Sequence, residues 1–599
     1  MRIALLILPF HLPKLPSLGL TQIKGRVKEI FADQVDVNLL YLNHDFYQLL
    51  GEDRYSFIDG DSTYTCINDW LFRNEAFDGV NDNQKEYLKR FYPQKQFIAD
   101  TLKNLNLGAM IRQLIMKYKL DSYDLIGINA AFSLTPGLAF CRHLKKMNPK
   151  IVTVMGGAAL HGDMGLALSK YYPYVDYVCS GPGLISFPKL IQGILNGSES
   201  DCDSIPGIFS KRNFQKVEKV SEFLDINVPI SLDYTDFLES FRRLDIKPGV
   251  NPMIILETSR GCYWNRCTFC GLSEDQQQYQ LKSFDKAIDE INYYMEKFDC
   301  DILMADNIMP RSYIKKVLPF LRIPGGRNLV YEVRGDYDEE DVKMLKQAHI
   351  TKIQPGIESL ATPVHKVMNK GVTAFQCVHM LKLCLKYNIT PVWNIIFGFP
   401  GMTGEMYEQL IQVIPRLMHL YPPVTLTPVR FDRYGTYWRE PAKYDLQLVP
   451  FAAYRFIYPY DAEFLSNIAY FFVDKNNFSP AVELISRYYL DLRAAVDNWT
   501  NRWQPGPGKT ADIPQLYHGT KNNVPYIYDS RGNTVKEYEL TGFENDMLKL
   551  LEKPYALEKI KENFPARGEN DMMLTLRSLE NKALVFKEED RYLGLVMWD

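Results

Sequence analysis

The sequence has no long apolar run, almost no net charge and few cysteines for its length. Its longest wholly apolar stretches, such as residues 3–8, are strand-sized and too short to cross a membrane as a helix. The formal net charge is -3 over 599 residues. This balance argues against a nucleic-acid or membrane partner, because both favour a basic face. Ten cysteines are too few for a disulfide scaffold and fit a reducing compartment, so we expect a cytoplasmic protein.

The first half of the chain alternates strand-like and helix-like runs, which predicts an α/β protein of three or four domains. Residues 1–200 are typical of a doubly wound, Rossmann-like parallel sheet, with an aromatic and polar insertion at about 45–120. Residues 201–250 have the composition of a linker. Residues 251–435 contain six strand-like runs separated by helical patterns, which predict a partial (β/α)6 barrel with its active site at the carboxyl ends of the strands.

The last third of the chain is richer in tyrosine and phenylalanine. Residues 436–510 predict a mainly helical, aromatic-rich region, and the Pro/Gly-rich run at 503–508 reads as a linker. The aromatic stretch 451–460 fits either a peptide groove or an ordinary aromatic core. Residues 511–599 end in a helix and two strands around an acidic turn, which indicates a small winged-helix-like domain.

Three cysteines, Cys262, Cys267 and Cys270, fall within nine residues directly after a predicted strand. A zinc site would need a distant fourth ligand, because no other Cys or His lies within about 25 residues on either side. A redox pair would use the last two thiols and leave the first unexplained. A 4Fe–4S cluster with one open iron explains all three, and we take this as the favoured interpretation.

This triplet resembles the hallmark of the radical S-adenosylmethionine (SAM) superfamily, whose members cleave SAM reductively to a 5′-deoxyadenosyl radical. The hallmark has three residues between its first two cysteines, whereas four separate Cys262 from Cys267 here.

The resemblance extends to several segments at predicted strand ends. They are residues 257–262 (Glu-Thr-Ser-Arg-Gly-Cys), 305–307 (Ala-Asp-Asn), 353–359 (Ile-Gln-Pro-Gly-Ile-Glu-Ser) and 394–401 (Asn-Ile-Ile-Phe-Gly-Phe-Pro-Gly). Together with residues 16–20 (Pro-Ser-Leu-Gly-Leu), they are similar to the cobalamin-dependent radical SAM enzymes that mature ribosomal peptides. That group includes radical SAM C-methyltransferases.

The resemblance implies a set of polar and glycine residues around SAM, because its amino, carboxylate and ribose groups need polar partners. The implied SAM residues are Asp306, Asn307, Glu332, Arg334, Gln354, Glu358, Asn394 and Gly398. The triplet cysteines are the implied cluster ligands. No side chain is singled out as catalytic.

The resemblance also implies that residues 1–200 bind cobalamin. The implied contacts are Pro16, Ser17, Gly156, Gly157, His161, Ser180 and Gly181. A lone loop histidine is more often a solvated residue than a cofactor contact. The Asp-x-His-x-x-Gly signature of many cobalamin proteins is absent, and Gly181-Pro182-Gly183-Leu184 stands where relatives carry an acidic Gly-Glu-Gly-Glu stretch.

The implied activity is methylation of an unactivated carbon in a ribosomally made peptide, with the methyl group supplied by methylcobalamin. The implied partners are a peptide with a leader segment and an external electron donor of the flavodoxin or ferredoxin type. Radical cross-linking, epimerisation or ring rearrangement without methyl transfer remains open. A non-catalytic metal-cluster binding protein is the alternative from another class.

Overall fold

The computed structural model describes residues 1–93, 98, 102, 105–131, 133–213, 218–272, 279–504 and 510–598. Most of the predicted linker at 503–508 therefore lies outside the described residues. The chain forms two compact units. The first contains residues 1–256, 297–303 and 448–473, and the second contains 257–296, 304–447 and 474–599. Within the described residues, no helix combines the length and apolarity needed to cross a membrane.

The first unit is built on a six-stranded sheet with the strand order β2-β1-β3-β4-β5-β6. Its strands are β1 (Arg2–Ile7), β2 (Asp36–Tyr41), β3 (Leu125–Asn129), β4 (Val152–Gly156), β5 (Tyr177–Cys179) and β6 (Ile208–Phe209). The first five are parallel and β6 is antiparallel. The order reverses between β1 and β3, and ligands of doubly wound sheets bind at such a point. This confirms the predicted α/β class with a parallel sheet.

Helices cover both faces of this sheet, so β1 is apolar along almost its whole length and residues 3–7 are buried. The helices of the unit are Leu18–Phe31, Leu42–Leu50, Glu52–Thr65, Ile67–Ala76, Gln84–Phe91, Leu107–Lys117, Thr135–Met147, Asp163–Tyr171, Gly183–Leu195, Glu199–Asp203, Thr235–Arg242, Ala453–Ile457 and Ala462–Ile468.

The aromatic stretch 451–460 packs in the first unit as core rather than as an open groove. Phe451, Tyr454 and Tyr458 are buried, and the side-chain amide of Asn83 donates to the carbonyl of Phe456 at 2.8 Å. The groove interpretation is therefore wrong for these three rings.

The second unit contains the Cys triplet and most of the predicted barrel. Its strands Leu329–Arg334, Lys352–Gly356 and Thr390–Pro391 are parallel neighbours, and Asn394–Phe397 pairs in parallel with Thr425–Pro428. The predicted run 390–397 is thus two strands, separated where Trp393 turns inward and donates from its indole N–H to the carbonyl of Tyr421. The remaining runs of the barrel pattern form strands Met253–Leu256 and Asp301–Met304.

The helices of the second unit are Phe284–Phe298, Arg311–Lys316, Glu339–Gln347, Thr362–Val367, Ala374–Lys386, Gly404–Leu417, Thr436–Arg439, Pro480–Trp503, Gly542–Leu550, Leu557–Asn563 and Glu569–Asn581. The C-terminal part adds a three-stranded antiparallel sheet, Leu516–Lys521, Val524–Asp529 and Lys536–Glu539. A second small sheet has Arg591–Gly594 between Tyr555–Ala556 and Val585–Glu588.

Three side-chain donors join this C-terminal part to preceding segments of the same unit. The Lys382 ammonium donates to the carbonyl of Gly594 at 2.6 Å, and the Arg416 guanidinium donates to the carbonyl of Val585 at 2.9 Å. His419 Nε2 donates to the carbonyl of Leu595 at 2.9 Å. Lys382 and His419 are each only 2% exposed. Helices and C-terminal segment therefore share one hydrogen-bonded core.

Candidate functional site

The Cys triplet lies on a loop that a short antiparallel ladder closes at its base. Ser259–Arg260 pairs with Gln280–Leu281, and all three thiols are half-exposed between these strands. The ladder forms because the chain returns at residues 280–281 beside residues 259–260. The loop therefore begins and ends next to the strand that precedes it.

Two opposing effects act on the thiols of the loop. Burial raises the pKa of Cys267 to about 12 and also raises that of Cys270, while the ammonium of Lys370 opposes both shifts. Each of these two pKa values also responds to the Cys262 thiol, so the three groups lie close enough to interact. Within the described residues, no three His, Cys, Asp or Glu side chains already meet in metal-binding geometry. The donor set of three thiols beside one cation nevertheless fits a cluster, because iron binds thiolates and a nearby cation favours them.

Asp306 fixes the start of the loop. Its buried carboxylate accepts from the backbone N–H of Thr258 at 2.6 Å, from the Thr258 hydroxyl at 2.5 Å and from the Ser259 hydroxyl at 2.9 Å. Burial raises its pKa to about 6, although these hydrogen bonds oppose the shift. Asp306 therefore holds the strand that leads into the triplet, whereas the neighbouring Asn307 is half-exposed.

A charged group gathers at the ends of the next two strands. The Lys370 ammonium pairs with the Glu358 carboxylate at 2.6 Å. Glu332 lies near both, and its pKa is raised to about 7, first by burial and then by the Glu358 charge. Gln354 hydrogen-bonds Glu332 and is exposed. The structure thus brings the predicted residues 332, 354 and 358 together, and it adds Lys370.

The other three predicted SAM residues have partners within the protein. The Arg334 guanidinium donates to the carbonyl of Gly371 at 2.7 Å and is 9% exposed. The amide oxygen of Asn394 accepts from the Thr425 hydroxyl at 2.8 Å. At Gly398, with φ +81°, a Cβ would lie 2.6 Å from the Ile485 side chain, so close helix packing requires this glycine.

Sequence reasoning missed two residues at this site, Lys370 and Trp264. Lys370 follows the helix Thr362–Val367, and its Asn-Lys-Gly context signals only a turn. Trp264 lies inside the Cys loop and donates from its indole N–H to the carbonyl of Asn369 at 2.9 Å. The order of motifs gave no signal for either contact, because both join segments about a hundred residues apart.

In the first unit, a cavity of about 190 Å³ opens at the carboxyl ends of the central strands. Three predicted cobalamin residues, Gly156, Gly157 and Gly181, line it together with Asn129 and the Gly183 end of a helix. Gly157 has φ +113°, and a Cβ there would lie 2.5 Å from the Asn129 amide oxygen. The absence of a side chain at Gly157 therefore lets the end of β4 pack closely against the end of β3 in the wall of the cavity.

The remaining predicted cobalamin residues lie beside this cavity rather than in its lining. Ser17 caps the helix Leu18–Phe31 and accepts from the Asn129 side chain at 3.2 Å. Ser180 accepts from the N–H of Gly162 at 2.7 Å and donates to the carbonyl of Lys219 at 2.6 Å. Pro16 is buried. His161 is 3% exposed, so the solvated interpretation of this histidine is wrong.

Comparisons with known proteins find a matching family model and several similar proteins. Residues 256–414 match the family model described as the radical SAM superfamily. An uncharacterized methyltransferase of Pyrococcus horikoshii is 25% identical over 52% of this chain and 69% of its own length. The cobalamin-dependent radical SAM methyltransferase TokK of Streptomyces tokunonensis is 26% identical over 28% of this chain. The chain spans only 25% of the length of TokK.

The fold of this chain resembles a solved structure of the radical SAM methyltransferase TsrM from Kitasatospora setae. That structure contains cobalamin and a 4Fe–4S cluster. Its TM-score is 0.54 at 16% identity, covering 84% of this chain and 92% of TsrM. The radical SAM domain implies SAM and a 4Fe–4S cluster, as the triplet predicts. The chain is therefore an enzyme with a radical SAM domain at residues 256–414, and cobalamin-dependent radical SAM methyltransferases are among the proteins to which it is similar.

Proposed function

We propose that this enzyme binds cobalamin in its first unit and methylates an unactivated carbon of a ribosomally made peptide. One observation carries the proposal: a single chain combines the triplet loop with a doubly wound sheet whose switch-point cavity is walled by glycine. Radical chemistry alone needs only the triplet. The glycine-walled cavity has no use in that step, whereas a methyl-carrying cofactor needs such a site.

Different residues of the chain would bind the cluster, balance its charge and bind SAM. Cys262, Cys267 and Cys270 hold the cluster, and Lys370 balances the thiolate charge at the last two. When bound, the cluster supplies the electron that cleaves SAM, and methylcobalamin supplies the methyl group. Lys370 and Glu358 present opposite charges side by side. This pair complements the carboxylate and amino groups of the SAM methionine moiety.

The size of the first-unit cavity indicates which part of cobalamin it takes. Pockets for drug-sized ligands measure roughly 300–1,000 Å³, so a cavity of about 190 Å³ is too small for a corrin ring. It suits the nucleotide tail, which Gly156 and Gly157 at the end of β4 would contact. The Gly181-Pro182-Gly183 run lines the same cavity without a carboxylate, which leaves the phosphate of the tail free of repulsion.

The peptide substrate is supported by the motif resemblance and by the C-terminal elements. Residues 542–594 run helix, strand, helix, helix, strand, strand, the order of a winged helix. Such a domain suits recognition of a leader segment, and this role is analogy at the level of fold. An external flavodoxin- or ferredoxin-type donor would supply electrons to the half-exposed triplet loop.

Anaerobic purification followed by three measurements tests the proposal. We expect iron and sulfide with a dithionite-bleachable visible band, 5′-deoxyadenosine on reduction with SAM, and cobalamin bound to the chain. Coexpression with a precursor encoded beside the gene should add one CH₂ per modified site by mass spectrometry. A loss of hydrogens instead would support cross-linking, and an unchanged mass with altered stereochemistry would support epimerisation. A chain with a cluster but without 5′-deoxyadenosine would contradict enzymatic turnover.

A further inference from the structure

Four consecutive residues, Met368 to Gly371, contact the Cys loop. The backbone carbonyl of Met368 accepts from the N–H of Thr268 at 3.0 Å. The carbonyl of Asn369 accepts from the indole N–H of Trp264 at 2.9 Å. The Lys370 side chain turns toward the thiols. We call residues 368–371 the cradle turn.

Gly371 and Trp264 fit each other in a way that only glycine allows. Gly371 has φ +71°, and a Cβ at this position would overlap three atoms of the Trp264 indole ring. The ring therefore lies directly on the backbone of the turn. Glycine is therefore required at position 371 for two reasons: the backbone is left-handed, and the ring leaves no room for a side chain.

Arg334 contacts both Trp264 and Gly371. Its guanidinium lies 4.8 Å from the centre of the Trp264 ring and donates to the carbonyl of Gly371 at 2.7 Å. Asp336 accepts from the Arg334 Nε at 3.2 Å and orients it. Arg334 thus binds both partners of the Trp264–Gly371 contact.

The contacts among Trp264, Gly371 and Arg334 hold the interval between Cys262 and Cys267, which has four residues where the hallmark has three. Trp264 and Asn265 both lie between Cys262 and Cys267, and Asn265 is left-handed with φ +43°. A longer interval has more conformations, and ordering it costs conformational entropy for each residue fixed. An anchored indole in the middle of the interval removes most of that freedom before any metal binds.

We propose that the cradle turn is a template for the Cys loop, with Trp264, Gly371 and Arg334 as positioning residues that set the Cys262–Cys267 interval for cluster binding. The inference rests on the proposed function, since it concerns the same cluster. Its distinct content is a steric coupling between residues 264 and 371.

A double-mutant cycle tests this coupling in the full-length chain. The variants are Gly371→Ala, Trp264→Ala and the double variant. Gly326→Ala is the matched control, because Gly326 has φ +84° but open space around its Cβ position. After anaerobic reconstitution, iron per chain, the rate of cluster loss to a chelator, and the EPR spectrum of the reduced cluster with and without SAM are measured.

We expect each single variant to lose its cluster about 10- to 100-fold faster, as for other residues that orient metal ligands. The double variant should be no worse than Trp264→Ala, because the Gly371→Ala clash disappears with the ring. Trp264→Phe keeps a ring on Gly371 and should recover part of the loss. Gly326→Ala should match the unmodified chain.

Three outcomes overturn the template. They are a wild-type cluster lifetime in both single variants, fully additive losses in the double variant, or an equal loss in Gly326→Ala. Thermal unfolding of the metal-free chains separates cluster effects from folding. If Gly371→Ala does not fold, Trp264→Ala and Trp264→Phe decide the question. A wild-type chain that binds no cluster would refute the proposed function as well, whereas an intact cluster in all variants refutes the template alone.

Discussion

Replacing Lys370 with methionine should destabilise the second unit and weaken SAM binding. The Lys370 ammonium lies 2.6 Å from the Glu358 carboxylate, and their side chains are 16% and 18% exposed. Lys370→Met leaves Glu358 next to Glu332, whose pKa is already raised to about 7. Two neighbouring carboxylates would then share a largely dehydrated site without a cation.

The magnitude follows from the burial of the pair. Breaking a buried ion pair by removing one partner costs about 3–5 kcal/mol. Both side chains keep some solvent exposure, so we expect a loss at the lower end of this range, about 3 kcal/mol. The double variant Lys370→Met with Glu358→Gln removes both charges and should recover most of this loss.

Urea unfolding of the metal-free chain measures the stability change, and anaerobic equilibrium dialysis measures SAM binding to the reconstituted chain. SAM should bind at least about tenfold more weakly to both the single and the double variant, since each lacks the ammonium that we propose as the partner of the SAM carboxylate. Lys343→Met is the control, because Lys343 pairs with Glu340 on the surface of the same unit. A Lys370→Met chain that unfolds and binds SAM like the control would refute the reasoning, and so would a double variant that recovers SAM affinity.

Three further outcomes follow. Gly157→Ala places a Cβ 2.5 Å from the Asn129 amide oxygen, so cobalamin per purified chain should fall at least about tenfold. Gly197→Ala, with φ +67° and open surroundings, should retain it; equal retention in both would contradict the cavity assignment. Because burial raises the Asp306 pKa from 3.8 to about 6, its contribution to stability is complete below about pH 4 and is lost as the pH rises through 6. Asp306→Asn should remove about 3 kcal/mol of that pH dependence in urea titrations, and parallel profiles would disprove it. Alanine at any of the three triplet cysteines should abolish bound iron, whereas alanine at Cys202, which is buried in the first unit, should not.

Periodicity and motif order predict the features that depend on local pattern. The buried runs of β1 and β3 read as parallel strands because helices cover both faces of the sheet. The triplet and the Glu358 segment read as site elements because each directly follows a strand. Gly156, Gly157 and Gly181, which we predicted as cobalamin contacts, line one cavity, since glycines after parallel strands allow close approach of the backbone.

Contacts between distant segments could not be predicted in this way. Asp306 has the residue type of a SAM ligand, but its carboxylate holds Thr258 and Ser259 instead. Arg334 likewise binds Gly371 and the Trp264 ring. A single sequence shows which residue types stand at strand ends, whereas their partners depend on which loops fold back over them. Lys370 was missed for the same reason.

The hydrogen bonds that earlier side chains make to the C-terminal part limit how the enzyme can handle a substrate. Removing residues 516–598 would leave Lys382, Arg416 and His419 without their carbonyl acceptors. Each hydrogen bond lost by the charged Lys382 and Arg416 side chains costs about 1.5–3 kcal/mol, and the bond lost by the imidazole costs about 0.5–1.5 kcal/mol. The segment is consequently a fixed wall of its unit and not a detachable adaptor. If the proposed peptide substrate binds to this segment, its bound end stays at a fixed position. The number of peptide residues between that bound end and the reacting carbon would then decide which carbon reaches the site.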